Sequence, residues 1–331
     1  MRKLVFLAAA LATGAAQADF QPRVISDKYV ATITLNGATT TVEQSGGQHG
    51  PLTDVATQIM GIPYSLRQGF NTFMAQGAAT QGGTFIAGEL TGDINVLLQP
   101  NASGTAAMTM SGISYNARTR YSGTKYGIFT YDCTNYLGLN NITMVGQYGS
   151  ASGSLPSNTV GMTANTTSTT NCDSNASWIL PFVGSKLINK MEGTADAQVL
   201  ASMTTAMAGV KDALFFKRDQ NLLVGLNKLI PADKVIQLPT GPFPIGQYVQ
   251  GNLPYLLANS TVNIKLGKGA EVAGVSGWMR PTDGLIVGDF LNLTMTVPGV
   301  ISFTVQLTQH DEVEWSWVCN LQRPYDVCYQ P

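Results

Sequence analysis

The chain has 331 residues and almost balanced charge, 19 Lys and Arg against 20 Asp and Glu, and only 12% of it is charged. That is about half the usual share, and no basic run stands out, so the electrostatic footprint of a nucleic-acid binder is absent. Asn, Thr, Ser, Gln and Gly supply the polarity instead, a surface chemistry that suits an exported β-rich protein.

The first residues have the layout of a secretory signal peptide. Arg2 and Lys3 are the positive start, Leu4 to Ala12 the short apolar run, and Ala16-Gln17-Ala18 the small-x-small cleavage pattern. Residues 1–18 are therefore expected to be removed, leaving Asp19 as the mature start and a periplasmic or extracellular destination. The apolar run is shorter than the ~20 residues a membrane-spanning helix needs, and no transmembrane helix is expected further on. Without Arg2 and Lys3, 17 basic residues face 20 acidic ones, a net charge of −3.

Tyr29, Ala31, Ile33 and Leu35 alternate with polar residues and predict a half-buried strand. A Gly/Gln/Ser loop over residues 44–50 ends it. Pro51 suits a first helical turn, and Leu52, Val55, Ile59 and Ile62 follow at helical spacing. Pro63 is expected to break that helix and restart a second, with Leu66, Phe70, Phe73 and Met74 inward. Residues 82–170 predict an antiparallel meander. Ile86, Leu90, Ile94, Val96 and Leu98 share one parity of a long strand. Met108 and Met110 share a parity that Ile113, Tyr115 and Ala117 do not, so a β-bulge is expected at Ser111-Gly112. Further strands are expected near 125–131, 141–147 and 159–164, with loops at 149–158 and 165–177.

The pattern changes at Trp178. Ile179, Val183, Leu187, Met191, Ala195, Val199, Met203 and Met207 recur every four residues, predicting an amphipathic helix over 178–216 of up to about ten turns. Stepping by four drifts against 3.6, so the stripe winds slowly round the helix and fits a curved sheet wrapped about it. A shorter helix is expected over 222–230. Residues 238–256, with Pro239, Pro242, Pro244 and Pro254, read as a connector. A second meander follows, with strands at 262–266, 272–279, 285–297, 301–307 and 313–317, the third interrupted at Asp289. The organisation is thus 19–177 with the helix pair and first meander, 178–230 with the long helix, and 231–331 with the second meander. The fold class is α+β: two antiparallel, strongly coiled meanders packed around one long amphipathic helix.

The sequence contains no HExxH, GxSxG, phosphate loop or GxGxxG. Gly267-Lys268-Gly269 reads as a tight turn between strands. Loop residue His49 has Asp54 nearby but no recognisable catalytic spacing. His310, Glu312 and Glu314 would share a strand face opposite Val313, Trp315 and Trp317. Three such groups could hold a metal ion, but a charged solvent face that blocks edge-to-edge pairing explains them better. No metal, cofactor or catalytic residue is expected. Met108, Met110, Met144, Met162, Met191, Met203, Met207, Met279 and Met295 fall on predicted apolar faces; flexible thioethers fill cores and also line apolar cavities. The four cysteines, Cys133, Cys172, Cys319 and Cys328, include no CxxC pair, and an even count behind a signal peptide points to two disulfides. Of three possible pairings, Cys133–Cys172 and Cys319–Cys328 is preferred, because each pair brackets a polar, turn-rich segment.

The long alternating strands at Ile86 to Leu98 and Ala106 to Ala117, closed by Cys133 and Cys172, lead through Trp178-Ile179-Leu180-Pro181 into the long amphipathic stripe. Over about a third of the chain this resembles the tubular lipid-binding (TULIP) superfamily of bactericidal/permeability-increasing proteins and their relatives. The resemblance is one of element order, with no diagnostic motif. It implies a coiled antiparallel sheet around a long helix, with lipid carried in the seam and no enzymatic activity. The ligand-facing residues would be Leu187, Met191, Val199, Met203 and Met207. The alternative from composition is a surface-exposed structural or adhesive β-rich protein, and a hydrolase without a local motif stands behind both.

Overall fold

The computed structural model describes residues 19–80, 82–101, 105–125, 129–149, 160–174, 229–276 and 279–318. The signal peptide, most of the expected 222–230 helix, the 178–216 stripe and the Cys319–Cys328 pair lie outside them. The strands in chain order are β1 (Asp19–Leu35), β2 (Ala38–Ser45), β3 (Thr84–Pro100), β4 (Thr105–Lys125), β5 (Phe129–Gly149), β6 (Gly161–Ser174), β7 (Ile236–Leu238), β8 (Gly241–Phe243), β9 (Thr261–Leu266), β10 (Val275–Ser276), β11 (Gly284–Val297) and β12 (Ile301–Val318). The helices are α1 (Pro51–Thr80) and α2 (Ile245–Asn259).

Local chemistry sets the boundaries. Asn36 and Gly37, both at positive φ (48° and 88°), turn β1 back into β2; Asn-Gly takes this left-handed conformation readily, which suits a two-residue hairpin. The sequence reading placed no strand at 38–43, and its loop over 44–50 overlaps β2 only at Gln44 and Ser45. The helix at 51–62 does not stop at Pro63. It continues to Thr80, and Leu52, Val55, Ile59, Leu66, Phe70 and Met74 keep one buried stripe through the proline. The expected connector at 238–256 instead holds the β7–β8 hairpin and α2, whose buried face is Ile245, Val249, Leu253, Leu256 and Leu257. Strands expected as short pieces are longer: β5 absorbs the 141–147 segment, β6 takes in 161–164 and extends into the expected 165–177 loop, and β12 joins two predicted strands. Among the described residues of the expected 272–279 strand, only the two of β10 are extended in the sheet.

The two predicted meanders are one sheet. Its order is β10-β1-β12-β11-β9-β3-β4-β5-β6, with β2 also paired to β1, ten strands in all. The six-residue β9 joins the halves, pairing Val262–Leu266 with Ile94–Leu98 on one side and Thr261–Leu266 with Leu291–Thr296 on the other. This overturns the expectation of two strongly coiled meanders, for among the described residues no sheet is strongly curled. Bulges interrupt five strand pairs. Each shifts side-chain parity locally, as bulges do, and the sheet stays open, its outer strands at opposite ends of the order. The bulge expected at 111–112 is present between Met110 and Ile113. Gly112 there has φ +95°, and a Cβ on it would lie 2.3 Å from the Asp93 carbonyl oxygen, so only glycine fits without a shift. The Cys133–Cys172 disulfide is also present, joining directly opposed residues of β5 and β6.

Candidate functional site

Alternation gives the sheet one apolar face. Ile33 and Leu35 on β1, Val305 and Leu307 on β12, Leu291 and Leu293 on β11, and Ile264 and Leu266 on β9 are all buried in a single core cluster. The cluster continues across β3 through Ile94, Val96 and Leu98, across β4 through Met108, Met110 and Ile113, and into β5 through Leu137, Leu139, Ile142 and Met144. With Met74 of α1 and Met295 of β11, five buried methionines converge on this face, and Met162 packs against it. Met279 does not, being 86% exposed.

The helices lie on the same face. α1 packs chiefly on β3 and also meets β4, β1, β11 and β2, while α2 meets β11, β3 and β4. A polar contact ties the middle of α1 to β4: the buried Tyr115 hydroxyl donates to Asn71 Oδ1 at 2.8 Å. The Tyr115 ring stacks on Phe70 with centroids 4.8 Å apart. Burial pushes that hydroxyl far above the ordinary tyrosine range, so it stays a donor.

At the far end of β12 a smaller cluster forms from Phe20, Val313 and Trp315, with Val272, Ile286 and Trp317 against it. Gln309 and Asp311 fall between the two clusters on the same strand parity. Asp311 is only 3% exposed. Gln309 Nε2 donates to both of its carboxylate oxygens, at 2.9 and 3.0 Å, and Gln309 Oε1 accepts the Ala270 N–H at 3.3 Å. Burial raises the Asp311 carboxyl above its ordinary value; the Gln309 hydrogen bond opposes this, and Asp27, directly across on β1, adds to it. Desolvation and the same two carboxylates raise Tyr29. The sequence reading missed Asp311 as a buried group, although it shares parity with Val313 and Trp315.

The predicted ligand-facing residues Leu187, Met191, Val199, Met203 and Met207 lie outside the described residues. His49 is exposed in the turn before α1. His310 Nε2 lies 2.9 Å from Thr308 Oγ1, and Glu312 accepts from Ser26 Oγ at 3.1 Å. Glu312 and Glu314 are exposed, and no group of three metal-ligating side chains occurs among the described residues. Nor is any helix among them long and apolar enough to cross a membrane.

No protein-family model matches the chain, and no curated protein matches it. A crystal structure of lipopolysaccharide binding protein aligns over 88% of this chain and 84% of its own, at 9% identity and a TM-score of 0.20. The likeness is weak and stands at the level of the pattern resemblance read from the sequence. A score that low carries neither a fold nor a ligand across.

Proposed function

We propose that the protein is an exported, non-enzymatic binder of a lipid or other hydrophobic ligand, held against the apolar face of the sheet. The supporting observation is the breadth of that face. Nine strands in order at ~4.8 Å spacing span about 38 Å, whereas two helices of ~10–12 Å diameter cover little more than half of it. The main contacts of α1 and α2 are with β1–β4 and β11, and the Leu, Ile and Met side chains of β5 beyond those strands are buried all the same, 3% exposed or less, so α1 and α2 are not their chief apolar partners. In this reading the stripe bearing Leu187, Met191, Val199, Met203 and Met207 forms the opposing wall. A ligand burying ten methylenes there gains about 8 kcal/mol before ordering costs. The Cys133–Cys172 bond supports export, since disulfides persist in oxidising compartments.

The test is mass spectrometry of a solvent extract of the purified protein, then titration of the delipidated chain with a fluorescent fatty acid. Lipid is expected to co-purify and the probe to rebind. Met203→Glu should fold and lose the probe, because water reaching a seam can solvate the carboxylate, while Met203→Leu should keep it. Absence of both lipid and probe binding rejects the reading.

A further inference from the structure

The opposite face of the sheet is polar, and at β4–β6 its side chains form a groove. The register places Arg118 across from Tyr136, and Arg120 across from Thr134, which in turn faces Asn171; Asp132 lies across from Asp173. Together with Ile86 from β3 these residues line an open groove of about 380 Å³, within the ~300–1,000 Å³ of small-molecule sites. One charged pair in it is held in place. Arg120 Nε donates to Asp132 Oδ1 at 2.8 Å and its terminal nitrogen to Oδ2, a two-pronged pair. Between the Asp132–Asp173 and Thr134–Asn171 rows, the Cys133–Cys172 bond fixes β5 to β6. Preorganisation of this kind lowers the ordering cost of binding.

The composition of the groove narrows its ligand. Two arginines and two aspartates balance, which disfavours a phosphate or a polyanion. Arg118 has no hydrogen-bond or ion-pair partner among the described residues. Tyr136 is 48% exposed and Ile86 41% exposed, large apolar surfaces set beside guanidinium, carboxylate, amide and hydroxyl groups. An aromatic ring next to a mixed set of donors and acceptors matches a sugar, whose ring has an apolar C–H face and a rim of hydroxyls. We infer that the outer face of β4–β6 carries a binding groove for a neutral saccharide, with Tyr136 as the stacking platform and Arg118, the Arg120–Asp132 pair and Asn171 as the groups that recognise hydroxyls. The site lies on the face opposite the apolar cluster and stands or falls independently of lipid binding.

The full chain is titrated calorimetrically with maltohexaose, cellohexaose and N-acetylchitohexaose to millimolar concentration. At least one is expected to bind, with little dependence on salt. Tyr136→Ala should weaken that binding about tenfold, the equivalent of ~1.4 kcal/mol, and Arg118→Ala should weaken it by a similar factor, while Tyr136→Phe keeps it within about twofold because the ring remains. Both positions are on the solvent side, and circular dichroism of each variant checks that the fold is unchanged. Failure of all three sugars to bind overturns the inference. So does binding that survives Tyr136→Ala.

Discussion

Replacing both Cys133 and Cys172 with alanine tests how the sheet is held at its β6 end. The two cysteines are 39 positions apart in sequence. Releasing a loop of that length restores chain entropy to the unfolded state worth about 4 kcal/mol at 25 °C. The folded state should change little at first, because Cys133 and Cys172 are already opposed in a long antiparallel ladder running from Tyr131–Ser174 to Val145–Gly161. Urea unfolding followed by circular dichroism should show the midpoint falling and the slope rising, because the released unfolded chain is less compact. Mutation is preferable to reduction, which would also reach Cys319 and Cys328. The loss should be greatest at the end of the sheet: amides of β6 near Asn171 and Asp173 should exchange hydrogen faster than those of β9 in its middle. A stability loss below about 1 kcal/mol, or equal exchange at β6 and β9, would refute loop closure as the way this bond acts.

Asp311→Asn should stabilise the protein at neutral pH. In the folded state burial holds this carboxyl above its ordinary value, so the native protein binds the proton more tightly than the unfolded chain does. Stability is therefore lost as pH rises from the unfolded value near ~3.9 through the raised folded one, and the penalty is fully present at pH 7. Thermal melts should show the variant above the parent at pH 7 and the gap closing below about pH 4; an equal gap at both pH values would contradict this origin. Tyr115→Phe removes the donor to Asn71 and leaves a partly buried amide oxygen unpaired, at a cost of about 1–2 kcal/mol, to be read from urea midpoints. No measurable loss would mean that water replaces the hydroxyl.

The parts of this fold that could be read from the sequence are those where one local rule acts alone. The alternation of Tyr29 to Leu35, Val262 to Leu266 and Ile301 to Leu307 gave the correct inner face in each case. Gly112 marked its bulge because a glycine sat at the parity change. The joining of the two halves was not legible, since β3 and β9 pair residues more than 160 positions apart and nothing local specifies such a partner. The β1–β2 hairpin was legible from Asn36-Gly37 and was missed because the run of threonines in β2 alternates only weakly in hydrophobicity. On α2, Pro244 and Pro254 hid a helix that tertiary packing of its leucines supports.

The remaining errors concern parity, and they bear on function. Strict alternation puts Leu285 and Val287 on the face of Leu291 and Leu293, but the register shift between Asp289 and Leu291 turns them to solvent and brings Phe290 inward. Ile86 was expected on the face of Leu90, Ile94 and Val96. Between Phe85 and Ala87 the ladder skips one residue: Phe85 faces Thr119, Ala87 faces Arg118, and Ile86 is the extra residue. No glycine marks this bulge, so the period-two pattern runs through it unbroken and gives the wrong side. In the structure Phe85 packs against the apolar cluster and Ile86 lies on the polar face, where it lines the groove with Arg118 and Tyr136. An unbulged strand would bury Ile86 and leave the groove without its aliphatic edge. Bulges often re-aim a side chain beside a functional site. The mismatch between local pattern and fold thus falls at the site inferred to bind a saccharide, as expected where function and local consistency compete.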